Sequence, residues 1–494
     1  MSRPSLLRFR LVRAAIAVGA TMAVVGLVSP VAAAAIPQAA DRFVVVFGGT
    51  FASSPASMAG HGSSLRRRDA VQMVAASGGQ VVADMTRSSG VMLVESARAD
   101  FARAMRAQPL VAAVGRNYAW QGIPAASAST TVEAPASVAG GSADPLASQQ
   151  WDMRMIRAAK AQQTEAGWRK VQVGVLDTGI DASHVDFTSG GRSNVDTGLG
   201  RSFTSDPAVA TDSAFHGTHV AGTIAAQING LGLVGVAPGV TLVPVKVCEG
   251  SGYCFADAVI QGIHYAGQAR LEIINMSFFV DDSAPLGSTQ FKCSSDPDQN
   301  AWRLALEREV SYARSRGVAL VASIGNDDLD LNHPEELQAG ATDDDCDQLP
   351  AETRGVTAVV ALGPNGEKAS YSSYGDGKAD VAAPGGDSSQ PGTGCDNQIL
   401  STLPGNTYGC IQGTSMAAPH AAGVAALIVS SFGSFSGGDV RMPVGSVDRM
   451  LKGTSVDIGQ DGYDECYGHG RVDAVRAIRA AQAVRDDLGG CSDY

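Results

Sequence analysis

Residues 170–181, Lys-Val-Gln-Val-Gly-Val-Leu-Asp-Thr-Gly-Ile-Asp, decide the fold. The run from Lys170 to Leu176 predicts an apolar β-strand, and Asp177 stands where that strand ends. A strand that is apolar along its whole length is typical of a parallel sheet covered on both faces. The stretch therefore predicts an α/β core with a carboxylate at the carboxyl end of one strand.

The same alternation of strand and helix continues along the rest of the chain. Continuous apolar runs predict further strands, and small or apolar residues at helical spacing predict the helices between them. The predicted strands are 240–247, 271–276, 317–323 and 356–362, and the predicted helices are 218–226, 255–267, 301–316 and 415–431. This order predicts an α/β fold with a parallel sheet and helices on both of its faces.

Polar side chains from five segments are predicted to meet at one edge of this sheet. Asp177, Ser277 and Asn326 each follow a strand, and His216 and Ser415 each stand at the start of a helix. Ligands of open parallel sheets bind outside the carboxyl ends of the strands. The pattern therefore indicates an active site at that edge.

Three motifs carry the chemistry of this edge. They are Asp177-Thr-Gly-Ile-Asp181, His216-Gly-Thr-His-Val-Ala-Gly222 and Gly413-Thr-Ser-Met-Ala-Ala-Pro-His420. Together they resemble the catalytic signatures of the subtilisin-like serine proteases, in the chain order Asp, His, Ser of that family. The resemblance covers about residues 148–480, including Tyr467-Gly-His-Gly-Arg-Val-Asp473. It implies a subtilisin-like fold and a serine endopeptidase.

The chemistry of a serine nucleophile explains why these residue types occur together. A serine hydroxyl attacks a carbonyl only when a base takes its proton, which would be the role of His216 for Ser415. Asp177 would hold the imidazole in the required tautomer. Asn326 resembles the oxyanion-hole amide of the family, which acts together with the backbone N–H of the nucleophile.

The substrate-binding edge departs from the family pattern. The resemblance assigns Ser277 and Gly325 to substrate binding, and a substrate is expected to add to this edge as an extended strand. The family segment is usually Ser-x-Gly, whereas this chain has Ser277-Phe278-Phe279, so a bulky side chain is expected to narrow a subsite. His219, one helical turn after His216, is expected to be structural.

Residues 36–120 predict a separate α+β domain. Strands are predicted at 42–47, 80–85, 90–94 and 110–114, with helices at 65–76 and 99–107. The order β-α-β-β-α-β is that of a small ferredoxin-like domain. No catalytic constellation falls in it, and it resembles the inhibitor-type propeptide of the same family. We therefore expect a self-processed precursor whose own propeptide acts as an intramolecular inhibitor.

The remaining boundaries follow from composition. Residues 121–147 are rich in Ala, Ser, Pro and Gly, which predicts an exposed linker ahead of a catalytic domain at 148–494. Residues 1–35 contain four early arginines, an apolar run from Ala14 to Val28 and a small-residue stretch ending at Ala35, as an export signal does. An uncleaved signal anchor is the alternative. No second long apolar run follows, so we expect a secreted protein without a stable membrane span.

The composition and charge of the chain limit the kinds of partner that it is expected to bind. The chain is 45 % hydrophobic and 17 % charged, with a mean hydropathy of +0.03, as globular proteins are. Residues 146–494 hold 24 basic and 42 acidic side chains. Such an acidic body repels phosphate backbones, which disfavours nucleic acid as a partner. A peptide or protein substrate is expected instead, and a monomer is the expected state.

All eight cysteines lie in this acidic body. An even number in an exported chain favours four disulfides over a metal site. Pairing of sequence neighbours is the simplest of the many connectivities, and it would join Cys248 to Cys254, Cys293 to Cys346, Cys395 to Cys410 and Cys466 to Cys491.

The expected chemistry needs no cofactor, and structural calcium is the metal that the family resemblance suggests. The loop 227–233 has the length of the family's calcium loop and keeps only Asn229 as an obvious side-chain ligand. The acidic insert that follows Asn326 is either a solvated loop or a second calcium site. Its carboxylates are Asp327, Asp328, Asp330 and Asp343 to Asp345.

Two other functions compete with the endopeptidase. One is a catalytically inactive binding protein on the same scaffold, and the other is a hydrolase of small esters. Within the endopeptidase class, a narrow processing role competes with broad digestion.

Overall fold

The computed structural model describes residues 42–48, 67–117, 119–120, 130–132, 144–279, 291–436 and 439–479. All of them belong to one compact unit, Gln38–Tyr494. The predicted export signal and Cys491 lie outside the described residues.

The N-terminal unit, residues 42–116, has the predicted element order. Its elements are β1 (Arg42–Phe47), α1 (Arg67–Ala76), β2 (Gln80–Met85), β3 (Val91–Glu95), α2 (Phe101–Arg106) and β4 (Val111–Arg116). The strands form an antiparallel sheet in the order β2-β3-β1-β4. This arrangement confirms the small ferredoxin-like α+β domain.

Strand β1 shows how this unit joins the rest of the molecule. Successive strand side chains point to opposite faces of a sheet. Phe43, Val45 and Phe47 pack against α1 and α2, whereas Val44 and Val46 belong to the core of the body. One face of the small sheet therefore closes its own core, and the other face covers the body.

The body, residues 144–479, contains a parallel sheet of seven strands. In chain order its main elements are β5 (Gln172–Asp177), β6 (Arg201–Ser202), α3 (His216–Ala225), β7 (Thr241–Lys246), α4 (Ala256–Ala269), β8 (Ile273–Met276), α5 (Pro297–Ser315), β9 (Ala319–Ser323), β10 (Val356–Leu362), β11 (Val381–Pro384), β12 (Ile399–Leu403), β13 (Thr407–Ile411), α6 (Thr414–Phe432) and α7 (Val444–Gly453). The strand order is β6-β7-β5-β8-β9-β10-β11, and every neighbouring pair is parallel.

Helices cover both faces of this sheet, as predicted. In β9, Leu320 and Ala322 pack with α4 and α5, whereas Ala319 and Val321 pack with α3 and α6. The β12–β13 hairpin lies beyond the sheet, and Thr130–Val132, from the predicted linker, adds a third strand to it.

Shorter elements complete the described part of the chain. They are the helices Trp151–Met155 and Ala158–Gln162, the 3₁₀ turns Ala147–Gln149, Val185–Phe187, Pro334–Glu336 and Gly394–Asp396, and the paired segments Ala119–Trp120 with Cys254–Phe255, Thr188–Ser189 with Arg192–Ser193, Lys292–Cys293 with Cys346–Asp347, and Ser434–Ser436 with Asp439–Arg441.

Helix α6 is the one helix in the described ranges that is long and apolar enough to cross a membrane. Its most apolar stretch is 83 % buried inside the protein, as in the core helix of a globular domain.

Three of the four predicted disulfides are present: Cys248–Cys254, Cys293–Cys346 and Cys395–Cys410. The fourth stays a prediction, because Cys491 lies outside the described residues.

Candidate active site

A histidine and an aspartate pair at the carboxyl edge of the sheet. Asp177 is the last residue of β5, and His216 is the first residue of α3. The imidazole Nδ1 donates to Asp177 Oδ1 at 2.9 Å and lies 3.0 Å from Oδ2. Both side chains are buried, so water does not compete for this hydrogen bond. The pair fixes the ring with Nε2 as the nitrogen available for proton transfer.

A second buried carboxylate, Asp212, supports this pair and was not among the predicted site residues. Thr178 donates its backbone N–H to Asp177 at 2.8 Å and its hydroxyl to Asp212 at 2.8 Å. Asp212 also accepts from the backbone N–H and the hydroxyl of Thr218, at 2.8 and 2.7 Å. Asp212 therefore ties the strand that carries Asp177 to the first turn of the helix that carries His216.

The two carboxylates set the proton affinity of His216. Burial alone would lower the pKa of the imidazole, but Asp177 and then Asp212 raise it, and the net pKa lies above the usual value of 6.5. Burial raises the pKa of Asp212 despite its hydrogen bonds. The site consequently favours a positive charge on His216 more than water does.

Ser415 lies in the first turn of α6. Gly413 precedes this helix with a φ of 155°, a backbone conformation that L side chains rarely adopt. The Ser415 hydroxyl donates to the carbonyl oxygen of Ser277 at 2.9 Å, and the Ser277 hydroxyl donates to the Ser415 carbonyl at 2.8 Å. The start of α6 is thus held against the end of β8. In this conformation the Ser415 proton points to Ser277 rather than to His216.

Asn326 presents an amide beside the same helix start. Its Oδ1 accepts from the Thr414 backbone N–H and hydroxyl, both at 2.9 Å, which leaves the NH₂ group as its remaining donor. Gly325 donates its N–H to the Thr414 hydroxyl at 3.3 Å. The Ser415 N–H has no acceptor within the helix, because the first turn never does. Two donors and the positive end of a helix therefore lie at the helix start that carries Ser415.

Phe278 does not lie over this edge. Its ring is fully buried in the core with α4 and α5, and Phe279 is 7 % exposed. Phe279 is the residue that stands in place of the family's glycine, so the narrowing of a subsite by its side chain stays a prediction.

A strand from the N-terminal part of the chain occupies a neighbouring edge. Ala119–Trp120 pairs antiparallel with Cys254–Phe255. Cys254 is joined by a disulfide to Cys248, whose backbone N–H bonds to the Asp177 carbonyl at 3.2 Å. The chain just after the N-terminal unit thus adds a strand beside the Asp177 end of the sheet.

His219 does not compete with His216 for Asp177. Its Nε2 lies 3.0 Å from the Ile399 carbonyl and 3.2 Å from that of Gly409, so it contacts the β12–β13 hairpin. Burial lowers the pKa of His219 to about 3, which keeps the ring neutral. The structure gives this imidazole a packing position, in line with the sequence-based expectation.

Two carboxylates from elsewhere in the chain, Asp144 and Asp186, accept hydrogen bonds from the loop 227–233, and neither was among the predicted ligands. Asp144 Oδ1 accepts from the N–H groups of Asn229 and Gly230, at 3.1 and 3.0 Å. Asp186 Oδ2 accepts from Leu233 N–H at 3.0 Å, while its buried Oδ1 has no partner among the described residues. Burial raises the pKa of Asp186 to about 7. An unsatisfied buried carboxylate oxygen beside a second carboxylate fits a hard cation such as Ca²⁺.

The acidic insert after Asn326 has a different character. Asp328 pairs with Lys368 at 2.7 Å, and Asp343 pairs with Lys378 at 2.6 Å. Because lysines neutralise these carboxylates, the insert resembles a solvated loop with ion pairs.

The fold and this edge together define a class, the serine-type endopeptidases built on a parallel α/β sheet. The model of the subtilase family matches residues 169–470, more than half of the chain. The chain belongs to the subtilase family.

Relatives and solved structures agree with this assignment. The chain is 35 % identical over 325 residues to subtilisin DY of Bacillus licheniformis, a match that covers 66 % of this chain and 97 % of that protein. It is 36 % identical over 310 residues to subtilisin E of Bacillus subtilis (strain 168), covering 63 % and 66 %. The epidermin leader peptide processing serine protease EpiP of Staphylococcus aureus shares the fold, with a TM-score of 0.67 at 20 % identity over 89 % of this chain and 98 % of that one.

Proposed function

We propose that this chain hydrolyses peptide bonds with Ser415 as nucleophile, His216 as general base and acid, and Asp177 as the group that orients the imidazole. The observation that carries the proposal is the meeting of the Asp177–His216 pair, Ser415 and the Asn326 amide at one edge of the sheet. The comparisons give no support to an inactive binding protein.

The chemistry follows from the contacts. The Ser415 hydroxyl rotates from the Ser277 carbonyl toward His216 Nε2, which takes the proton as Oγ attacks the substrate carbonyl. Asp177 and Asp212 stabilise the imidazolium that forms. Asn326 Nδ2 and the Ser415 N–H stabilise the oxyanion. His216 then returns the proton to the leaving amine, and water hydrolyses the acyl-enzyme by the same route.

The N-terminal unit acts in this proposal as an intramolecular inhibitor that the enzyme removes itself. Ala119–Trp120 already pairs with Cys254–Phe255, as a substrate strand added to this side of the sheet would. A tethered segment has a high effective concentration, near the millimolar range for short linkers, so modest affinity suffices. Cleavage at one bond of the predicted linker, 121–147, would release the body.

The proposal includes export and a monomeric enzyme that acts on peptide or protein substrates. Support comes from the signal-like first 35 residues and from three disulfides, which persist in oxidising compartments.

Ser415→Ala, expressed in a host without other secreted proteases, tests the proposal. We expect no peptide hydrolysis and an accumulated precursor that begins near residue 35. Ser431→Ala, which changes a serine near the far end of α6, is the matched control and should be processed normally. A Ser415→Ala protein with the mature N-terminus of the wild type would contradict self-cleavage, and one with near-normal hydrolysis would contradict the assigned nucleophile.

We further propose a structural calcium ion held by Asp144, Asp186 and the loop 227–233. It would stabilise the fold and take no part in the chemistry. Addition of a chelator should lower the thermal midpoint, and Asp186→Asn should abolish that response. A midpoint that is the same with chelator and with added calcium would contradict the site.

A further inference from the structure

Beside Asn326 lies a buried amide to which the proposed mechanism gives no role, the side chain of Gln348. It is 0 % exposed, and neither Oε1 nor Nε2 has a hydrogen-bond partner among the described residues. A Cβ added to Gly325 would lie 2.6 Å from Nε2 and 3.0 Å from Oε1, so the amide rests against the Gly325 backbone. Leaving a buried amide unpaired on both atoms is costly, which calls for a ligand that pairs with it.

The backbone of Gln348 is fixed while its amide is left free. Glu352 accepts the Gln348 N–H at 2.6 Å and donates its own N–H to the Gln348 carbonyl at 3.0 Å. The Glu352 carboxylate also pairs with Lys378 at 2.6 Å. Because Glu352 pairs with both backbone groups of Gln348, only the side-chain amide is left to bind a ligand.

The position of this amide relates it to the substrate. In the proposed mechanism, on which this inference rests, the substrate carbonyl oxygen lies between Asn326 Nδ2 and the Ser415 N–H. The residue before the cleaved bond, P1, then lies next to the Gly325–Asn326 segment. We propose that Gln348 selects the P1 side chain of the substrate, and that it selects a carboxamide, Gln or Asn.

The atoms of the amide determine that choice. A carboxamide donates to Oε1 and accepts from Nε2 in one reciprocal pair, which satisfies both groups. A Lys or Arg side chain would satisfy only Oε1, a carboxylate would satisfy only Nε2, and Leu or Phe would satisfy neither. Sites built to hydrogen-bond a substrate group discriminate strongly against analogues that lack it.

The test uses the processed wild-type enzyme and peptide substrates that differ only at P1, with Gln, Asn, Lys, Glu, Leu or Phe. We expect kcat/KM for Gln or Asn to exceed that for Leu by about tenfold to a hundredfold, since one or two buried polar atoms are otherwise left unpaired. A wild-type enzyme that prefers Leu or Phe overturns the inference.

Two variants and a control complete the test. Gln348→Met keeps the length of the side chain and should reverse the preference toward Leu, and Gln348→Glu should favour Lys. Gln162→Met, whose amide already bonds to the Gly235 and Val236 carbonyls, should leave the preference unchanged. An unchanged preference in folded Gln348→Met or Gln348→Glu enzyme also overturns the inference. Hydrolysis that survives Ser415→Ala would instead contradict the proposed function.

Discussion

The carboxyl edge of the body sheet and the interface of the body with the N-terminal unit are both polar, but they are built differently. At the edge, Asp177 and His216 have side chains 0 % and 5 % exposed, in a network of buried hydrogen bonds. At the interface, Arg42 reaches Asp257 at 2.8 Å while its side chain remains 41 % exposed. The buried hydrogen bonds at the edge hold the proposed catalytic groups in place before a substrate binds. Water and salt, in contrast, reach the ion pairs of the interface.

The other contacts of the interface also differ from the buried network at the edge. Val44 and Val46 supply an apolar face, and around it the Trp302 indole N–H donates to the Arg116 carbonyl at 2.6 Å and Arg308 donates to the Phe47 carbonyl at 2.6 Å. These contacts join the surface of the N-terminal unit to the surface of the body. Changes at the edge should therefore abolish turnover, and changes at the rim of the interface should alter release of the N-terminal unit alone.

The largest effect expected at the edge is the loss of His216. His216→Ala should lower kcat by about a millionfold, the loss measured when the corresponding group is removed from subtilisin. His219→Ala should affect stability far more than turnover, since this ring contacts carbonyls of the β12–β13 hairpin. Active-site-titrated kinetics on a peptide substrate compare the two. An active His216→Ala enzyme would contradict the assignment of His216, rather than His219, as the catalytic base.

A smaller loss is expected at Asn326. Asn326→Ala should lower kcat by about a hundredfold to a thousandfold with little change in KM, the effect measured for this type of donor in subtilisin. Asn332→Ala is the control, because that amide donates to the Asp376 carbonyl away from the edge. A loss confined to KM would assign Asn326 to ground-state binding instead.

At the interface, Arg42→Met should speed dissociation of the N-terminal unit from the processed complex by about tenfold, and leave kcat/KM of the free enzyme unchanged. Added salt should reduce the difference between wild type and variant, because the arginine is partly exposed. Arg98→Met, which removes an ion pair inside the N-terminal unit, is the control. Equal release rates for Arg42→Met and wild type would show that the apolar face alone sets the lifetime of the complex.

The smallest effect concerns pH. Catalysis needs neutral His216, so activity should fall as the pH drops through its raised pKa. Asp212→Asn removes one of the charges that raise this pKa, and should move the acid limb of kcat/KM to lower pH by up to about one unit. Asp461→Asn, which changes an exposed carboxylate, is the control. A limb that moves to higher pH would contradict the assigned influence of Asp212.

Much of the fold was predictable because buried parallel strands leave a strong signal. The run Val356–Leu362 is predicted and observed with the same bounds. The edge strands Arg201–Ser202 and Val381–Pro384 are too short to show a pattern. The β12–β13 hairpin was missed although Leu403-Pro-Gly-Asn406 is a turn signal between two apolar runs.

The residues of the candidate site were also predictable only in part. The motifs predicted the segments that carry Asp177, His216, Asn326 and Ser415, and the structure brings these segments together. Asp212 and Gln348 could not be predicted, because only the folded chain surrounds Asp212 with Thr178 and Thr218, and only the folded chain leaves the Gln348 amide buried and unpaired.

One measurement tests most directly the claim that Ser415 is the nucleophile of a serine endopeptidase. The processed protein is treated with a fluorophosphonate, digested, and mapped by mass spectrometry, with His216→Ala treated in parallel. The account predicts a single label on Ser415 that inactivates the enzyme stoichiometrically, and very slow labelling of His216→Ala. A label on another residue, or an active enzyme that takes no label, would contradict it.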